Sequence, residues 1–123
     1  MAEIKSHRDL VAWQRGMDLV VRVYGLTKEW PREEIYGLTA QARRAAVSVP
    51  ANIAEGYGRS GRASYVHFLK IAQGSLKELE THIEIAERLG FVAADQCREA
   101  LAESVTAGKL LNGLIRSLSD PKT

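Results

Sequence analysis

The stretch from Leu38 to Gly61 constrains the fold of this chain more than any other. Its apolar residues recur every three or four positions, the spacing that places side chains on one face of an α-helix. This stripe consists of Leu38, Ala42, Ala45, Val49 and Ile53. Pro50 lies inside the pattern, lacks a backbone N–H and presses on the carbonyl of Ala46, so the sequence predicts a kinked helix. Glycines at positions 56, 58 and 61 predict where the helix ends.

Three other segments have the same helical periodicity. Asp9 and Asp95 are candidate N-caps of the first and last of these helices, and Gly90 is a candidate C-cap of the middle one. The expected bounds are about Asp9 to Trp30-Pro31, about Arg62 to Leu89, and about Asp95 to Asp120-Pro121.

The apolar stripes of these three helices predict which residues form the core. The predicted stripes are Trp13, Met17, Val20, Val21 and Tyr24; Tyr65, Leu69, Ala72, Leu76, Leu79, Ile83 and Ala86; and Cys97, Leu101, Val105, Gly108, Leu111, Ile115 and Leu118. In the connectors, Ile35, Tyr36, Phe91 and Val92 are expected to anchor on the core. Residues 1 to 8 are polar and expected to be loose.

Four amphipathic helices with short connectors and no strand pattern predict an all-α fold. We expect an antiparallel up-down four-helix bundle with a proline-kinked second helix, formed as a single domain by residues 9 to 118. The 123 residues suit one such domain, which can bury a core without a metal or disulfide.

Charge and cysteine content limit the possible functions. The formal net charge is only +2, so attraction to nucleic acid would have to come from clustered charges. With Cys97 as the only cysteine, no internal disulfide can form, which fits a reducing cytoplasm. The N-terminus lacks the apolar run of a signal peptide and no run is long enough to span a bilayer, so no membrane association is expected.

The sequence offers no motif that predicts an enzyme, a metal site or a cofactor. Gly56 to Gly61 matches G-x-G-x-x-G, but the helix before it indicates an interhelical turn rather than a dinucleotide site. His7, His67 and His82 lack the Glu-x-x-His and H-E-x-x-H contexts of metal-binding helices, and we expect them at the surface or partly buried. Cys97 is expected to be a small core thiol.

Arginines flank the two ends of the second helix and have two interpretations. These are Arg43, Arg44, Arg59 and Arg62, with Glu55 the only acid between them. They could contact phosphates of RNA or DNA, while Tyr57 or Tyr65 stacks on a base. Alternatively they pair with carboxylates of a neighbouring helix or subunit, or are solvated.

A second, polar stripe of this helix also has two interpretations. Arg44, Ser48, Asn52 and Glu55 could face water, or Ser48, Asn52 and Glu55 could form a paired polar seam that is buried or lies where subunits meet. The short side chains and the alanines beside them favour close contact with another helix.

The same residues resemble a known family. DLVAWQRGMDLVVRVY, YGLTAQARRAAVSVPANIAEGYGR and FLKIAQGSLKELETHIEIAERLG are similar to the four-helix bundle proteins encoded in intervening sequences of bacterial 23S ribosomal RNA genes, often labelled S23. The signature QxRRAAxSxPxNIAEG is carried by Gln41, Arg43, Arg44, Ala45, Ala46, Ser48, Pro50, Asn52, Ile53, Ala54, Glu55 and Gly56. The resemblance covers about residues 9 to 118.

The resemblance implies an all-α bundle that assembles as a homopentamer and is not an enzyme. The chain is also similar to accessory proteins of diversity-generating retroelements, which implies possible binding of nucleic acid and of a reverse transcriptase. Three functions stay open at this point: interaction with RNA or DNA through basic edges, a protein–protein scaffold in which the arginines are structural, or a small-molecule or catalytic role at a subunit junction.

Overall fold

The computed structural model describes residues 3–119, which form four α-helices joined by short connectors. The helices are α1 (Val11–Thr27), α2 (Leu38–Gly58), α3 (Arg62–Arg88) and α4 (Ala94–Ser119). Short 3₁₀ helices, His7–Asp9 and Arg32–Glu34, precede α1 and α2. Each helix packs against the next, and α4 packs back against α1 to close the bundle. The predicted all-α four-helix bundle is therefore confirmed.

Helix α2 continues through Pro50, which is buried in the bundle. The helix α1 lies close by: a Cβ added to Gly16 would be 3.4 Å from both Pro50 Cβ and Val49 Cγ1. Gly16 therefore provides the space in which α1 packs against the proline turn. The bend of α2 at Pro50 stays a prediction.

The core stripes predicted for α2 and α3 are confirmed. Ala42, Ala45, Val49 and Ile53 are buried in α2, and six of the seven predicted residues of α3 are buried from Leu69 to Ala86. These two helices share the most extensive contact in the bundle. Regular spacing of large apolar residues thus identified their inner faces.

The predicted core stripe of α1 is wrong for three residues. Met17, Val21 and Tyr24 are 41%, 71% and 42% exposed. The buried face instead consists of Ala12, Gly16, Leu19, Val23 and Thr27. The close approach of Pro50 favours the small residue Gly16 on this face, and Leu19 and Val23 fill the rest of it, while Met17, Val21 and Tyr24 face solvent.

The predicted stripe of α4 is also partly wrong. Cys97 and Leu111 are buried as predicted, but Val105 is 46% exposed and Leu101 only half-buried. The inner face of the central turns is formed by Ala100, Ser104 and Ala107. Small residues again occupy the interior where the helices lie close together.

The connectors differ from expectation at one end of the bundle. Ile35 and Tyr36 are 44% and 93% exposed, so the prediction that they anchor on the core is wrong. Trp30 takes that role: it is buried, and its ring centroid lies 6.4 Å from that of Phe91. Val92 is buried and Phe91 packs against the core, which confirms those two anchors.

The ends of the helices show which cap predictions were right. Gly90 has φ 79°, and the N–H groups of Gly90 and Phe91 donate to the carbonyls of Glu87 and Ala86. This is a Schellman motif, so the predicted C-cap of α3 is confirmed. Asp95 lies inside the first turn of α4 and accepts from the Gln96 N–H, so it is not the N-cap. The predicted stop at Asp120-Pro121 lies outside the described residues.

Of the segment predicted to be loose, residues 3 to 8 are folded, and residues 1 and 2 lie outside the described residues. Ser6 caps the 3₁₀ helix, and the Asp9 carboxylate accepts from the backbone N–H of Ser6 and Lys5. Asp9 therefore caps this 3₁₀ helix, and the N-cap of α1 is Leu10. No helix within residues 3–119 has the length and apolar character needed to cross a membrane.

Candidate functional site

Two arginines on the first half of α2 have different environments. The Arg43 Nε–H donates to Thr27 Oγ1 at 2.8 Å, and its guanidinium carbon lies 4.6 Å from the centre of the Tyr24 ring. Arg43 thus connects α2 to the end of α1 by a hydrogen bond to Thr27 and a cation–π contact with Tyr24. Arg44 is exposed and has no ion pair among residues 3–119.

The other two arginines lie at the turn between α2 and α3. Arg59 donates to Glu55 Oε2 from Nη2 at 2.7 Å and from Nε at 3.1 Å, and its guanidinium lies 5.0 Å from the Phe68 ring centre. Arg62, the first residue of α3, is exposed without an ion pair in the described part of the chain. The chain reverses through Gly61, whose φ of 92° is accessible to glycine. The turn interpretation of the glycine motif is therefore confirmed.

Aromatic rings pack under this turn. The rings of Tyr57 and Tyr65 meet edge to face with centroids 6.1 Å apart. Burial, with a smaller effect of neighbouring Tyr57, raises the pKa of the Tyr65 phenol above its ordinary value. Both tyrosines are only half-buried, so part of each side chain remains at the surface.

The four arginines do not form one cluster within a chain. Sixteen residues of helix separate Arg43 from Arg59, and a helix rises about 1.5 Å per residue, so these two lie roughly 24 Å apart. Arg43 and Arg44 lie on the first half of α2, whereas Arg59 and Arg62 lie at the turn between α2 and α3.

The topology adds basic residues to that end. Successive helices are antiparallel. One end of the bundle therefore contains the start of α1, the end of α2, the start of α3 and the end of α4. The 3₁₀ helix before α1 packs on α2. We define the basic end as Lys5, Arg8, Arg59, Arg62 and Arg116, all exposed. Of the nearby acids, Asp9 caps the 3₁₀ helix and Glu55 pairs with Arg59. Arg8, Lys5 and Arg116 were missed by sequence reasoning, although the alternating helix directions could have placed them here.

The opposite end of the bundle carries the contrasting charge. Among residues 3–119, seven acids lie there, against four exposed bases. The acids are Glu29, Glu33, Glu34, Glu84, Glu87, Asp95 and Glu99, and the bases are Lys28, Arg32, Arg88 and Arg98. The low net charge of the chain therefore conceals a charge separation along the bundle axis.

Two of the three residues of the predicted polar seam, Ser48 and Asn52, belong to one hydrogen-bonded network within the chain. The Ser48 and Ser75 hydroxyl oxygens lie 2.8 Å apart between α2 and α3. Asn52 Nδ2 donates to the Ser48 hydroxyl at 2.9 Å and to the Ser48 carbonyl at 2.8 Å. Glu55 does not join this network, because it is exposed and bonded to Arg59. The seam thus joins α2 to α3 through Ser48, Asn52 and Ser75.

Large apolar side chains are exposed beside Arg43 and Arg44. Tyr24, Ile35 and Val47, each between 42% and 44% exposed, line a surface groove with the two arginines. Met17 lies about two helical turns before Tyr24 on the same side of α1 and extends the apolar surface along that helix. We call Met17, Tyr24, Ile35 and Val47 the α1–α2 face.

Histidine and cysteine side chains show no arrangement suited to a metal. Within residues 3–119 no group of three or more histidine, cysteine, aspartate or glutamate side chains could hold a metal ion. His82 is more buried than expected, at 8% exposed, and its Nε2 lies 3.7 Å from the Glu78 carboxylate. Cys97 is a buried thiol, as predicted.

Comparisons with known proteins relate the chain to one family. The sequence profile described as 23S rRNA-intervening sequence protein matches residues 8–113. The fold resembles a crystal structure of a protein with unknown function from the S23 ribosomal protein family of Bacteroides thetaiotaomicron VPI-5482, with a TM-score of 0.80 and 26% sequence identity. The match covers 86% of this chain and 96% of that one. A comparison with curated protein sequences found no match.

Proposed function

The chain belongs to the 23S rRNA-intervening sequence protein family, and we propose that it is a non-enzymatic, self-assembling bundle that binds RNA or DNA through its basic end. The observation that carries this proposal is the uneven charge along the bundle, with an excess of exposed bases at one end and an excess of acids at the other.

The basic end has groups suited to a phosphate backbone. Arg8, Arg62 and Arg116 are exposed and have no ion pair in the described residues, so their guanidinium groups are available to phosphate oxygens. Arg59 is already neutralised by Glu55 and contributes less. Tyr57 and Tyr65 beside the turn are half-buried, so part of each side chain is accessible to an unpaired base.

Self-assembly would strengthen this binding. A chain with a net charge of +2 attracts a polyanion weakly, but a symmetric oligomer repeats the basic end once per subunit. The resemblance to the family supplies the expected number, five subunits. Such binding would tolerate many sequences, because contacts to phosphates carry no direct sequence information.

A charge-matched pair of variants tests this proposal. Arg8→Gln with Arg62→Gln removes two charges from the basic end, whereas Lys28→Gln with Arg32→Gln removes two from the acidic end. We expect the first variant to bind a labelled single-stranded RNA or DNA oligonucleotide at least tenfold more weakly at low salt, and the second to bind like wild type. Equal losses in both variants, or no binding by the wild type, would contradict the proposal.

A second candidate function is a protein–protein scaffold or an accessory subunit. The α1–α2 face supports it, since exposed tyrosine, arginine and aliphatic side chains are typical of protein interfaces. In this function Arg43 is structural, which agrees with its bond to Thr27 and its contact with Tyr24. Loss of assembly on changing Val47, with unchanged nucleic-acid binding per subunit, would assign this face to protein contacts.

A further inference from the structure

A surface groove between α3 and α4 lies on the side of the bundle away from the α1–α2 face. Its walls are formed by Lys70, Gly74 and Lys77 from α3 and by Val105, Gly108 and Lys109 from α4. From Lys70 to Glu80 it follows ten residues of helix, roughly 15 Å or almost three turns.

The floor of this groove is largely apolar, and one hydrogen bond, from the Gln73 side-chain N–H to Asn112 Oδ1, crosses it from α3 to α4. Val105 is 46% exposed, and Leu76 lies beneath it between the helices. A Cβ added to Gly74 would meet no atom within 4 Å, and one added to Gly108 would meet only Leu76 Cδ1 at 3.7 Å. A third helix could therefore bring its side chains close to the backbones of both α3 and α4.

The rim of the groove carries positive charge that the chain does not neutralise fully. Glu80, the only acid in the lining, accepts from the Ser104 hydroxyl at 2.6 Å and lies 3.3 Å from Lys77 Nζ. Lys70 and Lys109 have no ion pair among residues 3–119. They lie on opposite walls, so positive charge borders the apolar floor on both sides.

We propose that this α3–α4 groove docks an amphipathic helix of a partner protein whose apolar stripe is flanked by acidic residues. An apolar stripe fills the floor, and glutamates on either side meet Lys70 and Lys109, in the manner of helix-in-groove recognition. The lining contains no aromatic residue on which a base could stack, which favours a peptide over a nucleic acid. This inference is independent of the proposed function of the basic end.

The test compares two synthetic helical peptides of about 18 residues, long enough for the groove at about 1.5 Å per residue. Both carry leucines at alternating three- and four-residue steps; one has glutamates beside the stripe and the other has lysines. We expect fluorescence anisotropy to show the acidic peptide binding at least tenfold more tightly. Equal binding of the two peptides, or no binding of the acidic one at millimolar protein, overturns the proposal.

Two variants locate the binding in the groove. Gly74→Leu adds an apolar side chain to the groove at a position where the added Cβ meets no atom within 4 Å, and it improves helix propensity. It should therefore weaken peptide binding at least tenfold while the melting temperature stays equal or rises. Lys70→Glu with Lys109→Glu should reverse the preference between the peptides, and Lys28→Glu serves as the charge control outside the groove. The proposal fails if Gly74→Leu leaves peptide binding unchanged. It also fails if Gly74→Leu lowers the mass of the protein in solution, because the groove would then hold a second copy of the chain. Displacement of the acidic peptide by single-stranded RNA would contradict it as well.

Discussion

A Cβ placed on Gly56 of α2 would lie 2.9 Å from the Cβ of Phe68 on α3, closer than two such carbons can pack. It would also lie 3.0 Å from the carbonyl oxygen of Tyr65. The two helices therefore come into backbone contact just before the turn that carries Arg59 and Arg62. The position of the basic end depends on this contact.

Gly56→Ala should destabilise the protein by about 1–3 kcal/mol, the usual cost of overpacking, because backbone and Phe68 Cβ cannot move aside easily. Gly25→Ala in α1 is the matched control, since nothing lies within 4 Å of its added Cβ. There the change should stabilise by about 0.5–1 kcal/mol through helix propensity. Urea unfolding measures the free energy of unfolding of both variants. Equal changes in Gly56→Ala and Gly25→Ala would refute the close approach of α2 to α3 at Gly56.

The polar seam predicts unequal roles for two residues of the α2 signature. Asn52→Leu removes both bonds to Ser48 and should cost about 1 kcal/mol of unfolding free energy. Glu55→Gln should change it by less than about 0.5 kcal/mol, because an exposed ion pair contributes little. Chemical denaturation measures the free energy of unfolding of the Asn52→Leu and Glu55→Gln variants. A larger effect at Glu55 would mean that it is buried in a contact between subunits.

Cys97 predicts a loss of stability in alkaline solution. Burial foremost, then a hydrogen bond from the thiol to Glu87, raises the pKa of Cys97 to about 11 from its ordinary value of 9.0. Between these values the unfolded chain loses its thiol proton while the folded chain keeps it, so stability falls as the pH rises. Cys97→Ala should flatten this decline in denaturation curves from pH 9 to 11. An identical decline in that variant would contradict the assignment.

The sequence predicted the inner faces of α2 and α3, where the apolar residues that recur at helical spacing are also the buried ones. It failed in part for α1 and α4, where Gly16 and Ser104 are buried beside Leu19 and Leu111. The predicted core residues Met17, Val21, Tyr24 and Val105 instead lie outside. Apolar periodicity identifies the inner face of a helix only when its apolar residues are the ones that are buried. In α1 the close approach of Pro50 instead places Gly16 in the interior.

The candidate site was predicted less completely, for a different reason. Arg59 and Arg62 were identified because they are close in sequence, whereas Arg8 and Arg116 join them only through the antiparallel packing of four helices. The internal use of Arg43 could not be inferred either, since its partners Thr27 and Tyr24 are distant in sequence.

Assembly through the α1–α2 face predicts a specific sensitivity. Val47→Glu should lower the mass measured by light scattering at micromolar concentration from about five chains, the number implied by the family resemblance. A hydrated carboxylate would replace an apolar contact, and pairing with the neighbouring Arg43 or Arg44 does not fully offset its desolvation. Ile85→Glu, at a similarly exposed position on α3, is the control and should leave the mass unchanged. A wild-type monomer at every concentration would exclude assembly, and equal effects of both changes would exclude this face.

The salt dependence of nucleic-acid binding tests the central proposal most directly. Each phosphate contacted on a single strand contributes about −0.7 to the slope of log K against log salt. The wild-type oligomer should give a steep negative slope, and Arg8→Gln with Arg62→Gln should flatten it by about 1.4 for each subunit engaged, at unchanged mass. An intact double variant with the wild-type slope would show that the basic end does not contact phosphates.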